Sequence, residues 1–275
     1  METPKKDMEK KVSFNLSPSS INLFYQSPLL FYLQYIQKAP DDTPVPVCYG
    51  LSGNIVHDCL QKYALGELNK ENVFTHFSQE WMKKNLHIHR DAKGEFLSQE
   101  EYIIALIKGL EIVDQHSSHI CEESIQFPFK ETEDMSIGIR GIIDLQAKHQ
   151  STSQEVIIDY KTSNNLSEGK DFERQALFYN YLRVKKGKPI PEKTVFHYLK
   201  LGREKVYTFS QEDIEAFEEE LNEIAEQIAD YGTFIGNYPI GEIDSLFNSK
   251  KKACLAEIAR RRGSRDEAGF LQTTF

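Results

Sequence analysis

Asp144, Asp159 and Lys161 are the residues whose types and spacing most directly suggest chemistry. Each aspartate closes a β-branched run, Gly-Ile-Ile-Asp at 141–144 and Val-Ile-Ile-Asp at 156–159, and a polar Ser/Thr/Gln/His segment separates the two. This pattern predicts a β-hairpin. With the turn centred between Ser151 and Thr152, Asp144 and Asp159 are equidistant from it and stand opposite one another, while Lys161 shares the face of Asp159. Opposed carboxylates repel across a strand pair, where Cβ atoms lie roughly 4.5–5.5 Å apart. A cation removes that penalty. Two carboxylates and the neighbouring Tyr160 carbonyl are hard oxygen ligands suited to Mg2+ or Mn2+. Such an ion can polarise a phosphodiester oxygen and activate water, with Lys161 stabilising the charge that develops. The same three residues also fit a surface ion network on an antiparallel pair, and taken alone they leave both readings open.

The elements that must position these residues follow from periodicity. Residues 1–14 are polar and charged and read as a flexible tail. Ser17 and Pro18 form an N-cap and N1 pair for a short helix through Phe24 and Tyr25, and Pro28 separates it from a second helical segment at Leu29–Ile36. The helical spacing of the aromatics between 23 and 35 points to core packing rather than to base stacking. After a proline-rich loop at Lys38–Val47, Ile55, Val56, Cys59, Leu60, Tyr63 and Ala64 make a helical apolar stripe. His57 borders that stripe, and Gly53, one turn earlier, allows close approach to a sheet. Phe74, Phe77 and Trp81 mark the next helix. A capping box, Ser98 to Glu101, opens another through Tyr102, Leu106, Leu110 and Val113. Strands begin near Ile120, with Ser124–Phe129 turning at Glu131–Asp134 into the hairpin. A helix at Asp171–Lys185 sets Gln175 and Tyr179 on one face. A second hairpin, Thr194–Leu201 and Glu204–Phe209, turns at Gly202. Ser210 caps a long helix whose Ile214, Phe217, Leu221, Ile224 and Ile228 face inward and whose outer face is acidic.

The formal net charge of −9 argues against a protein that coats nucleic acid by bulk electrostatics, but a local basic patch is compatible with it. That patch is Lys250, Lys251, Lys252, Arg260, Arg261, Arg262 and Arg265, relieved within its span only by Glu257. Cys48, Cys59, Cys121 and Cys254 are scattered, without a metal-ribbon or disulfide spacing. His87-x-His89 and His116-x-x-His119 lack carboxylate or thiolate partners nearby in sequence. No apolar run reaches membrane-spanning length, so no membrane association and a cytoplasmic location are expected. One α/β domain over 15–262, followed by a flexible tail at 263–275, is the economical organisation.

Taken in order, Gly-x-x-x-His at 53–57, Gly-Ile-Ile-Asp at 141–144, Ile-Ile-Asp-Tyr-Lys-Thr at 157–162 and Gln-x-x-x-Tyr at 175–179 resemble the PD-(D/E)xK nuclease superfamily. Within it the chain is most similar to the RecB-like, Cas4-like group. The resemblance implies a restriction-endonuclease-like core, a central mixed β-sheet flanked by helices, with an N-terminal helical region. It implies that His57, Asp144, Asp159 and the Tyr160 carbonyl bind Mg2+ or Mn2+, and that Lys161 is catalytic. Gln175 and Tyr179 would support the site and contact DNA, and either Glu122 or Glu123 takes the place of an upstream acidic residue. Many relatives hold an iron–sulfur cluster. Here Gln26-Ser27-Pro28 stands where they have Cys-Pro, and only Cys254 remains near the end, so no cluster is expected. The segment containing Lys250, Lys251, Lys252, Arg260, Arg261 and Arg262 then either contacts phosphate backbone or is simply solvated. The expected activity is that of an exonuclease on single-stranded DNA or DNA ends, with a helicase or integrase-type partner possible. The alternative is a non-catalytic module of the same fold that binds nucleic acid or a protein in a recombination, repair or CRISPR-type complex.

Overall fold

The computed structural model describes residues 11–272 apart from 92–93, 165, 167–168 and 245–247, with side chains described as far as residue 263. In chain order the elements are β1 (Val12–Leu16), α1 (Pro18–Gln26), α2 (Pro28–Phe31), α3 (Cys48–Ala64), α4 (Val73–Lys83), α5 (Gln99–Asp114) and β2 (His116–Glu131). There follow β3 (Met135–His149), β4 (Glu155–Lys161), α6 (Lys170–Lys185), β5 (Lys193–Tyr198), β6 (Arg203–Tyr207), α7 (Gln211–Tyr231) and α8 (Lys251–Gln272). The strands form a mixed sheet in the order β1-β3-β4-β5-β6, with β2 also paired to β3. This is the α/β architecture expected, a central mixed sheet flanked by helices. The chain divides into two compact units, 1–45 with 126–140 and 220–275, and 46–125 with 141–219.

In the first unit, β1 runs parallel to the start of β3, from Val12 opposite Met135 to Leu16 opposite Ile139. Phe14 and Leu16 are buried there, so residues 12–14 belong to a strand and not to the expected tail; residues 1–10 lie outside the described residues. Ser17 caps α1 in a reciprocal box with Ser20. Ser27 closes that helix and its hydroxyl caps α2, accepting from Leu30 N at 3.3 Å. The chain then continues into one π-helical turn at Tyr32–Ile36. Phe24, Phe31 and Tyr32 are buried, the core use expected of these aromatics. At the other end α8 extends to Gln272, so residues 263–272 are helical where a tail was expected, and 273–275 lie outside the described residues. Its first turn is held by Asp42, whose carboxylate accepts from Lys252 N and Ala253 N at 3.0 and 2.8 Å.

The second unit carries the hairpin. β3 and β4 are antiparallel with Leu145 opposite Ile158, and β4 runs parallel to β5 with Tyr160 opposite His197. Val56, Leu60, Phe77, Trp81, Tyr102 and Leu106 from α3, α4 and α5 pack with Leu145, Ala147, Val156 and Ile158 of the hairpin in one buried cluster. The predicted turn glycine, Gly202, has φ +61° between β5 and β6, a region that side chains other than glycine enter at a cost. Half of the predicted capping box at α5 forms. Ser98 accepts from Glu101 N at 3.3 Å, but the Glu101 carboxylate turns to Lys200 at 3.2 Å. Ser210 and Asp213 cap α7, each side chain accepting from the other's backbone N–H.

Candidate active site

The site lies wholly in the second unit, where α3, β2, β3, β4 and α6 each supply a side chain. α3 brings His57 close because of Gly53. A Cβ at that position would sit 2.8 Å from Thr162 Oγ1, just past the end of β4. His57 Nδ1 lies 3.2 Å from Asp144 Oδ2, and the same oxygen accepts the Tyr160 N–H at 2.9 Å. The register of Leu145 with Ile158, carried one step further, sets Asp144 against Asp159 as the hairpin arithmetic requires.

Glu122 completes a group with His57 and Asp144, one ligand atom from each lying within 4.8 Å of the others. Glu123 is held elsewhere by Lys186 at 2.7 Å, Lys188 at 3.3 Å and the Gln146 amide. The choice left open by sequence thus falls on Glu122. Its backbone is in the left-handed region, φ +47°, which costs an L-residue roughly 1–2 kcal/mol. That kink breaks the two-residue alternation by which a strand's inward positions are counted.

Asp159 is buried and closed into a ring. Its Oδ1 lies 2.7 Å from Lys161 Nζ, and its Oδ2 accepts from Tyr179 Oη at 3.1 Å and Gln175 Nε2 at 3.4 Å. Gln175 accepts from Lys161 Nζ at 2.9 Å and donates to Tyr179 Oη at 2.6 Å. The rings of Phe172 and Phe196 cover the Lys161 ammonium, with centroids 4.8 and 4.7 Å away. Asp159 stands beside the His57–Glu122–Asp144 group. Tyr160 meets this site through its N–H, which donates to Asp144.

The charges explain one another. Burial opposes a charge on His57, but Asp144, then Asp159 and Glu122, outweigh it and push the imidazole up to about 9. Burial works against the Asp144 carboxylate too, yet His57, the Tyr160 N–H and Lys161 hold it below the usual range. Asp159 is raised, first by burial and then by Asp144, despite Lys161. Glu122 is raised by burial and by Asp144. The His57 imidazolium thus supplies the positive charge that these carboxylates demand. One imidazole nitrogen with carboxylate oxygens is a donor set for Mg2+ or Mn2+. Asp159 Oδ1, buried with no hydrogen bond of good alignment, keeps a lone pair for such an ion. The residues fit the cofactor that the sequence implies. A cavity of about 10 Å3, lined by His57, Glu122, Asp144 and Tyr160 among others, has the size of a single water.

Four of the C-terminal cations are paired within the first unit. Lys250 pairs with Asp41 at 2.6 Å and Lys251 with Asp244 at 2.8 Å. Arg260 and Arg261 both bind Glu257 at 2.7 Å, and Arg261 also reaches the carbonyls of Tyr238 and Ile235. Glu257 is held down to about 2, chiefly by its hydrogen bond with Arg260. Of the expected nucleic-acid contacts, Lys252 and Arg262 keep no ion pair among the described residues. His116 Nδ1 meets the Ile112 carbonyl at 2.6 Å and His119 Nδ1 that of Ala64 at 3.1 Å. These are structural roles, and neither histidine joins a metal-holding group among the described residues.

No curated protein matches the chain. Among solved structures, "Crystal structure of SSO0001" aligns at 16% identity with a TM-score of 0.30, over 67% of this chain and 89% of that one; a likeness this loose adds nothing to the reading of the site. No described helix is long and apolar enough to cross a membrane. Residues 15–238 match the family model for the PD-(D/E)XK nuclease superfamily, a span that takes in His57, Glu122, Asp144, Asp159, Lys161, Gln175 and Tyr179, and the chain belongs to that superfamily.

Proposed function

We infer that the second unit hydrolyses phosphodiester bonds in DNA with Mg2+ or Mn2+, acting as an exonuclease on single strands or ends. The observation that carries this reading is the closed Asp159–Lys161–Gln175–Tyr179 ring set beside the His57–Glu122–Asp144 group. It puts a fixed ammonium next to a concentration of carboxylates that a divalent ion could bridge once the His57 proton leaves. His57, Glu122 and Asp144, with Asp159 Oδ1, would hold the divalent ion. When bound it supplies Lewis-acid polarisation of the phosphate and a lowered pKa for water. Gln175 and Tyr179 lock Asp159 and, through it, the position of Lys161. Phe172 and Phe196 keep water from one side of that ammonium, which strengthens its pull on charge developing at phosphoryl oxygens.

The Gln-x-x-x-Tyr pair and the histidine on α3 favour a RecB-like, Cas4-like member. The preference for ends or single strands rests on that likeness and on the net charge of −9, which disfavours broad contact with duplex. A helicase or integrase-type partner that delivers the strand in the cytoplasm belongs to the same reading.

The test is release of nucleotides from end-labelled single strands, linear duplex and circular duplex with Mg2+ or Mn2+. Digestion of single or linear strands, sparing of circles, and a fall of at least a thousandfold in Asp159→Ala and Lys161→Ala are expected. Wild type and Lys161→Ala equally inert across metals and substrates would leave the non-catalytic module as the surviving reading.

A further inference from the structure

The second unit holds more acidic than basic residues, yet Lys148, Arg183 and Lys188 gather at one cavity. Lys186 and Lys188 both approach Glu123. Arg183 and Lys148 both approach Glu155, Lys148 at 3.7 Å. Four cations thus share two carboxylates in a chain of net charge −9. Arg183 is buried and fixed, donating to the Pro189 carbonyl at 2.7 Å and to Gln146 Oε1 at 2.9 Å. The lysines are partly exposed, with side-chain exposures of 50% for Lys148 and 32% for Lys188. Ion pairs of that kind are weak and exchange readily for another anion.

The cavity measures about 310 Å3 and combines an apolar wall, Ile120, Ala147 and Pro189, with Lys148, Arg183, Lys188 and the carboxylate of Glu155. That volume lies at the lower end of pockets that take a small organic ligand. Gln146 and Lys148 lie two and four residues beyond Asp144 on β3, roughly 7 and 13 Å along the strand at ~3.3 Å per residue. Glu123, which gathers Lys186 and Lys188, is the neighbour of Glu122 on β2. The strands that bear Glu122 and Asp144, β2 and β3, therefore also border a partly apolar hollow with cationic side chains a short way along.

We propose that this cavity is a subsite for one nucleotide of the substrate strand, with its phosphate on Lys148 and Lys188 and its base against Ile120 and Pro189. The inference rests on the nuclease reading only for the identity of the strand. Arg183, bonded on three sides, shapes the hollow, and the lysines give up their carboxylates to the phosphate. Because phosphate contacts release counterions, the subsite makes strand binding depend on salt.

The test uses the full chain as the Asp159→Asn variant, so that a fluorescein-labelled oligothymidylate is not consumed, and follows anisotropy over a series of KCl concentrations. Adding Lys148→Gln and Lys188→Gln is expected to weaken binding at least tenfold and to flatten the salt slope by about 1.4, at ~0.7 per lost contact on a single strand. Ile120→Ser should weaken binding without changing the slope. Glu123→Gln, which releases Lys186 and Lys188, should tighten binding and steepen it. An unchanged affinity and slope in the double lysine variant, with its thermal transition intact, overturns the subsite. Binding is read without turnover, so the two readings fail separately. A wild-type chain that cuts nothing but binds with a lysine-dependent slope keeps the subsite and loses the nuclease, and an active enzyme indifferent to the lysines does the reverse.

Discussion

His57 is charged at neutral pH because three carboxylates outweigh its burial, raising it to about 9. A divalent ion must therefore displace a proton to use its nitrogen. Calorimetry of Mn2+ binding in two buffers of different ionisation enthalpy should show release of about one proton at pH 7, and the affinity should rise about tenfold per pH unit up to pH 9. In His57→Gln both the proton release and the pH dependence should fall; heats independent of buffer in wild type would exclude His57 as a ligand. The residues of this site were legible to different depths. The facing of Asp144 and Asp159 came from counting outward from a turn, since pairing register is arithmetic once the turn is placed. Glu122 did not, because a left-handed backbone is invisible in a run reading Cys-Glu-Glu-Ser. The closure of Asp159 onto Tyr179 depends on how α6 sits over β4, which no local pattern encodes.

At the scale of elements, the approach of α3 to the end of β4 hinges on Gly53. Gly53→Ala would place a methyl 2.8 Å from Thr162 Oγ1 and is expected to cost about 1–3 kcal/mol, read as a lowered melting temperature. Because His57 rides on the same helix, Mn2+ affinity should fall as well. Thr162→Ala in the Gly53→Ala background should restore most of both, a coupling measurable in a double-mutant cycle; independent effects would place the strain elsewhere. The helices with caps or long apolar stripes, α1, α3, α5 and α7, were legible because each carries its own start signal or face. β1 was not: Val-Ser-Phe-Asn-Leu is short, follows a charged stretch, and becomes a strand only by pairing with β3. The continuation of α8 past residue 262 was hidden by the Gly-Ser at 263–264, which reads as a stop.

For the whole molecule, acid should weaken the two units in succession. His197, on β5 in the second unit, is pushed down to about 4, first by burial and then by His116 and Lys193. The unfolded chain binds that proton from pH 6.5, so stability is expected to fall as pH drops from 6.5 to 4 and to gain nothing from this residue above 6.5. Glu257, in the first unit, is held down to about 2. Its contribution, present above the ordinary glutamate range, is lost as pH falls from 4.5 to 2. Thermal melts of His197→Gln should be flatter than wild type in the upper window, and those of Glu257→Gln in the lower; a wild-type profile unaffected by either substitution would show that the controlling groups lie elsewhere. The sequence displayed the basic run but not the partners of its first residues, because Asp41 and Asp42 lie more than two hundred residues away. That separation bears on how the protein is made. Lys250 meets Asp41 across 209 positions, and at roughly 5–20 residues per second a ribosome needs on the order of 10–40 s to connect them. During that interval Phe14, Phe24 and Phe31 have emerged without the segments that finish their unit, so a nascent chain would carry a greasy, unfinished stretch until Lys250 and its neighbours follow.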